Sequence, residues 1–118
     1  MRFREMDERV SYRQQRVNDG GPIALINEFN VPTDDVDRFL EVWAHDAAYM
    51  KQQKGFISAQ LHRGTQGSTT FVNVAVWVSA RALGDAVRSS DALDVLLTAL
   101  LRLDHLDGCS VELALLRP

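Results

Sequence analysis

Residues 23–31, IALINEFNV, place Ile23, Leu25, Asn27, Phe29 and Val31 on one side of an extended chain and Ala24, Ile26, Glu28 and Asn30 on the other. That period of two predicts a strand. Pro32, Thr33, Asp34 and Asp35 then supply a hydroxyl cap and two carboxylates where a helix dipole favours negative charge. Val36, Phe39, Leu40, Trp43, Ala47 and Met50 recur at intervals of three and four, so a one-sided amphipathic helix follows, closed by Lys51, Lys54 and Gly55. Ile57, Ala59 and Leu61 alternate in the next run, GTQGST reads as a turn, and Thr69 to Val78 is rich in Val and Phe, which together predict a β-hairpin. A second helix starts at Ser79, with a break expected near Ser89 to Asp91 and a continuation through Leu93, Leu96, Leu97 and Leu100. Ser110 to Leu116 alternates Val111, Leu113 and Leu115 as a last strand.

The order is β-α-β-β-α-β, the ferredoxin-like motif, an α+β fold with an antiparallel four-stranded sheet. Ahead of it, residues 1–21 are polar and end in the breaker cluster Asn18-Asp19-Gly20-Gly21, which predicts a mobile arm on a domain spanning residues 22–118. Phe3, Met6 and Val10 have a loose helical spacing that would let the arm dock on a partner subunit.

The two faces of the third predicted strand decide more than the element order does. Val72, Val74, Val76 and Val78 lie on one face, and Phe71, Asn73, Ala75 and Trp77 on the other, so both need cover. Two helical segments cover only one face of such a sheet. The valine face is therefore expected to pack against a second copy, giving a homodimer joined sheet to sheet. Composition agrees with one folded domain, at 118 residues with 46% hydrophobic and 25% charged residues. Thirteen basic against sixteen acidic residues, without a basic block, argue against nucleic acid as a partner. Cys109 is the single cysteine, so no internal disulfide forms, and no stretch has the length and apolarity of a membrane span; a cytoplasmic setting is expected.

The face left to the helices carries the anomaly. Asn73 and Trp77 point the same way about 13 Å apart on a strand, with the small Ala75 between them. Asn27 lies on the inward face of the first strand, which neighbours the third in this topology. Two amides and an indole could then border one cavity, with Phe29 and Phe71 on the same face and Trp43, Tyr49 and Met50 of the first helix as its ceiling. The competing reading satisfies each amide locally and makes the tryptophan core. His45, His62 and His105 lack any metal-ligand spacing; His62, beside Arg63, is expected at the pocket rim as a proton shuttle. No phosphate loop or Gly-x-Ser-x-Gly motif is present.

Asn27 in LINEFNV, the segment MKQQKGFISAQLHR, and Asn73 with Trp77 in FVNVAVW resemble the antibiotic biosynthesis monooxygenase family over residues 22–118. The resemblance implies a dimeric α+β barrel whose members oxidise anthrone-type phenols to quinones with molecular oxygen and no metal, flavin or haem. It also implies that Asn27 and Asn73 bind the substrate's oxygens and that Trp77 shapes the oxygen-side pocket. A haem-degrading branch of the same superfamily uses a helix histidine whose place here falls at or near Val87. No histidine occurs between His62 and His105, so that activity is disfavoured. The aromatic hydroxyl that some quinone-forming members carry shortly after the tryptophan is also absent, Leu83 lying in that region, which leaves the general base unassigned. The alternative to an enzyme is a noncatalytic binding protein for an aromatic or tetrapyrrole ligand on the same fold.

Overall fold

A computed structural model describes residues 2–17, 20–88 and 108–117. Its elements are β1 (Arg2–Glu5), α1 (Tyr12–Gln15), β2 (Ile23–Asn30), a 3₁₀ turn (Thr33–Asp35), α2 (Val36–Met50), β3 (Phe56–Arg63), β4 (Thr70–Trp77), α3 (Ala80–Arg88) and β5 (Ser110–Leu116). The expected break in the second helix, near residue 89, and its leucine continuation lie outside the described residues. The fold is ferredoxin-like α+β, with the strand order β1-β5-β2-β4-β3.

The sheet has five strands where four were expected, and the fifth comes from residues expected to form a mobile arm. β1 pairs in parallel with β5, Arg2 beside Ser110 and Glu5 beside Leu113. Without it β5 would be a free edge, with unpaired backbone groups that invite association. After β1, Ser11 and Gln14 form a capping box on α1, and Gln15 Oε1 accepts a 2.9 Å hydrogen bond from the Leu115 amide. Tyr12 packs on the core beside Ile23, Trp77 and Leu115. Phe3, Met6 and Val10 stay exposed, at 58%, 36% and 42%.

β2 pairs antiparallel with β4, setting Ile23 opposite Trp77, Leu25 opposite Ala75, Asn27 opposite Asn73 and Phe29 opposite Phe71. These pairs share the inner face, and both helices pack on it in two clusters. At one end Val36, Phe39 and Val42 of α2 meet Val31, Phe71 and Cys109. At the other, Ala80, Leu83 and Ala86 of α3 meet Ile23, Ala75, Trp77 and Leu115, with Met50 of α2 against them. Phe39 sits between Phe29 and Phe71 at ring separations of 4.9 and 5.0 Å, and each large side chain so buried contributes about 1.5–3 kcal/mol.

β3 carries a bulge. Phe56 faces Trp77 and Ser58 faces Val76, so Ile57 is an extra residue that the ladder skips. Counting alternate positions puts Ile57 with Ala59 and Leu61; the bulge instead turns Phe56 inward, edge-on to Trp77 at 5.4 Å, and leaves Ile57 52% exposed. The outer face holds Val72, Val74 and Val76 beside Ile26 and Ala24, all partly shielded, with Val78 and Leu116 48% and 50% exposed. Glu28 and Glu112 lie directly across from each other there, and Arg4 reaches Glu112 at 3.7 Å from β1.

The helix α2 stops at Met50 with Lys51 as its cap, and Gly55, expected to close it, instead leads into β3 with φ +88, where a Cβ would come within 2.5 Å of the Ala82 Cβ. Gly67 in the hairpin turn also has positive φ, +76, but open space around it. Gly55→Ala is therefore expected to lower unfolding stability by more than the roughly 1–3 kcal/mol of a left-handed non-glycine residue, and Gly67→Ala by no more than that. Denaturant melts of the two variants check the order.

Candidate active site

The β2–β4 register brings the two asparagines side by side. Asn73 Nδ2 donates to Asn27 Oδ1 at 3.1 Å, joining positions 46 residues apart in sequence. One bond uses half of each amide. The Asn73 carbonyl, Oδ1, is buried and without a hydrogen-bond partner, and no hydrogen bond engages the Asn27 NH2 among the described residues. Leu61 and Leu113 flank the pair on β3 and β5, so the row is polar at its centre and apolar at both sides.

The next row toward Trp77 is Ala59, Ala75 and Leu25, short on the β3 and β4 side and bulkier on β2. Trp77 closes that side. Only 1% exposed, it is held by Phe56 and the α3 alanines, yet its indole Nε1 has no acceptor. A fully buried N–H without an acceptor costs about 1–3 kcal/mol, as does the orphan Asn73 carbonyl. The opposite wall is Phe71 and Phe29 with the Phe39 ring.

A third orphan comes from α2. Asp46 is half-buried, its Oδ1 is closed off from solvent, and that oxygen accepts no hydrogen bond. Burial pushes its carboxyl above the ordinary range, with His45 alongside acting in the opposite direction. The sequence reading missed Asp46 because it tracked apolar spacing alone. The signal was present: Asp46 stands three residues after Trp43 and four before Met50, within the apolar stripe.

The predicted residues are placed unequally. Asn27 and Asn73 touch, Phe29 and Phe71 form the adjacent row, and Trp77 lies two rows the other way. Trp43, Tyr49 and Met50 are half-buried on α2, Met50 against the Trp77 cluster. His62 does not join them. It pairs with Val72 on the outer face and is exposed, because strand alternation that turns Leu61 inward turns its neighbour out. Arg63 does point inward, its guanidinium 5.2 Å above the Phe71 ring and its Nε bonded to the Ser68 carbonyl. Among the described residues no group of three or more His, Cys, Asp or Glu could hold a metal, and no helix is long and apolar enough to cross a membrane.

Comparison with known proteins shows the family. Residues 22–95, more than half of the chain, match the family model described as antibiotic biosynthesis monooxygenase. The chain belongs to that family. A deoxynogalonate monooxygenase from Streptomyces nogalater is 33% identical over 75 residues, which are 61% of this chain and 63% of that relative, so less than two thirds of its length is spanned. In structure, the chain is similar to SnoaB, a cofactor-independent oxygenase from the same organism, with a TM-score of 0.68 at 24% identity over 84% of this chain and 94% of the other. A protein from Mycobacterium tuberculosis gives 0.64 at 18% identity, covering 82% and 94%. At such identities the structural likeness shows the fold. In this member of the antibiotic biosynthesis monooxygenase family, α2 carries the orphan carboxylate of Asp46.

That carboxylate makes a stability prediction. A folded-state pKa above the unfolded one means that Asp46 stabilises the fold at low pH and loses this contribution as pH rises through the raised value. Asp46→Asn keeps the shape without the charge. It is expected to melt higher than the parent at neutral pH, with the gain shrinking toward zero below the ordinary carboxylate value of 3.8. Thermal melts across pH check the sign.

Proposed function

We propose that the protein is a cofactor-independent monooxygenase that oxidises an electron-rich aromatic, polyketide-like phenol of the anthrone type to its quinone with molecular oxygen. The reading is supported most directly by the paired amides. Asn27 and Asn73 hold each other in place through one hydrogen bond and keep one donor and one acceptor free. A phenolic oxygen needs both while protonated, and needs the donor once it becomes an oxyanion. Amides do not titrate, so they keep this role as charge develops on the substrate. The Trp77 indole N–H adds a second unused donor two rows along the same face.

In this reaction the substrate supplies the electrons. Its ionised form gives one electron to oxygen, the radical pair combines into a peroxide, and loss of water leaves the new carbonyl. The protein contributes orientation, stabilisation of the anion and exclusion of bulk water. Family membership and the deoxynogalonate monooxygenase relative support a monooxygenase; the anthrone-type substrate is the finer part of the proposal.

The same reading includes a homodimer. Val72, Val74, Val76 and Ile26 form a continuous apolar strip on the outer face, between partly shielded and exposed residues, which fits a second copy laid sheet to sheet. The lysine of Val74→Lys would be buried at its centre, and sedimentation velocity is expected to show a shift to monomers.

Oxygen uptake with a simple anthrone, corrected for autoxidation, tests the activity. Uptake well above background is expected, and Asn73→Ala should lower it by about 10²-fold, the effect of removing one preorganised group at a developing oxyanion. Tight binding of the anthrone without uptake would favour a noncatalytic binding protein.

A further inference from the structure

We propose that Asp46 is the catalytic base of this site, taking the proton from the acidic carbon of a substrate held by Asn27 and Asn73. The proposal rests on the monooxygenase reading above and supplies the group that the amides cannot, since neither amide accepts a proton at any ordinary pH.

Its basis is positional. Along α2, Val42 belongs to the cluster at the Phe71 end and Met50 to the cluster at the Trp77 end. Asp46 comes midway, about 6 Å of helix rise from each. Along β4, Asn73 likewise follows Phe71 by about 7 Å and precedes Trp77 by about 13 Å. The helix and the strand therefore each put one polar residue into the gap between the same two apolar clusters. Both side chains end in a buried oxygen with no hydrogen-bond partner. Two unsatisfied buried oxygens, on a helix and a strand that each run between the same two clusters, fit an occupant that brings acidic hydrogens, a phenol O–H to Asn73 and a benzylic C–H to Asp46.

The carboxylate removes one proton from the ring methylene and becomes a carboxylic acid, leaving an anion delocalised onto the oxygen held by the amides. That anion passes one electron to dioxygen, and the radical and superoxide combine in a carbon–oxygen bond. The Asp46 acid returns its proton to the peroxide. The carboxylate then removes the second proton from the same carbon as the O–O bond breaks, and the departing hydroxide takes that proton as water. One methylene and one dioxygen give one carbonyl and one water. Burial of the carboxylate brings its proton affinity nearer to that of such a carbon acid, which makes it a more effective base.

Among the described residues few other charges act there. His45 is the neighbour on α2, Tyr49 lies one turn on, and the inner face of the sheet brings Arg63 over Phe71 at one end and Glu5, bonded to the Tyr12 amide, at the β1 edge. Tyr12 itself lies in the Trp77 cluster with Arg16 over its ring.

The test combines aerobic turnover across pH with anaerobic exchange of the anthrone methylene hydrogens into D2O, for the parent, Asp46→Asn and Asp46→Glu. The parent rate is expected to rise with pH along a limb above the ordinary carboxylate range. Asp46→Asn should lose about 10²-fold or more in kcat, lose that limb and lose enzyme-dependent exchange, while Asp46→Glu recovers part of each. Turnover and pH profile unchanged in folded Asp46→Asn would overturn the assignment and leave the monooxygenase reading standing. A higher KM with kcat and the limb intact would also overturn it, since that marks a packing role. If the parent itself neither consumes oxygen nor exchanges hydrogens beyond buffer, both readings fall.

Discussion

The pairing register of β2 on β4 is the constraint on which the remainder of this structure depends. Side chains on a strand alternate, so one register puts Ile23, Leu25, Asn27 and Phe29 on the helix side with Trp77, Ala75, Asn73 and Phe71. A slip by one residue would send the whole set of one strand outward and bring Val72, Val74 and Val76 beneath the helices. The large aromatics secure the register from both ends. Phe71 and Trp77 are each 1% exposed and belong to different clusters, one fixed by α2 and the other mainly by α3. Between these anchors the asparagines meet as a consequence, in a place where apolar residues would have packed at lower cost.

That cost is informative. Asn73 Oδ1, Asp46 Oδ1 and Trp77 Nε1 are buried polar atoms without hydrogen-bond partners, on elements that sandwich one layer. Each such atom opposes folding by about 1–3 kcal/mol, a large share of a typical net stability of about 5–15 kcal/mol. A layer built for stability alone would satisfy them or replace them. Sites that must bind a polar group keep such atoms open, and the loss is carried by the packing at the two ends.

Much of this was legible in the sequence, because the periods of two and three to four follow from which side is buried. Asn27 and Asn73 stood out as amides on otherwise apolar faces, and the topology made them neighbours. What escaped has three physical causes. β1 escaped because an edge strand is held by backbone hydrogen bonds, which leave no pattern in RFRE, all four of whose side chains are exposed. Ile57 was grouped with Ala59 and Leu61 because a bulge shifts the alternation by one residue, and none of Phe56, Ile57 and Ser58 is a glycine or proline that would mark it. Asp46 escaped because a charged residue inside an apolar stripe reads as an interruption of a helix face, when its burial makes it the strongest chemical feature of that face.

In the proposed reaction, Asp46 and the amides divide the work that one titrating residue would otherwise do alone. A group that both stabilises an oxyanion and removes a proton must be a donor in one step and an acceptor in the next, and its protonation in the first step cancels its use in the second. Neutral amides escape this conflict because they never change charge. A carboxylate on the other layer escapes it because its charge is what changes. The two functions therefore sit on different elements, a pair of β-strands and a helix, held apart by the packing of Phe39 on Phe71 at one end and Met50 by Trp77 at the other. In this arrangement proton transfer and charge stabilisation can be altered independently, and the distance between them is set by the thickness of the sheet–helix layer rather than by either residue alone.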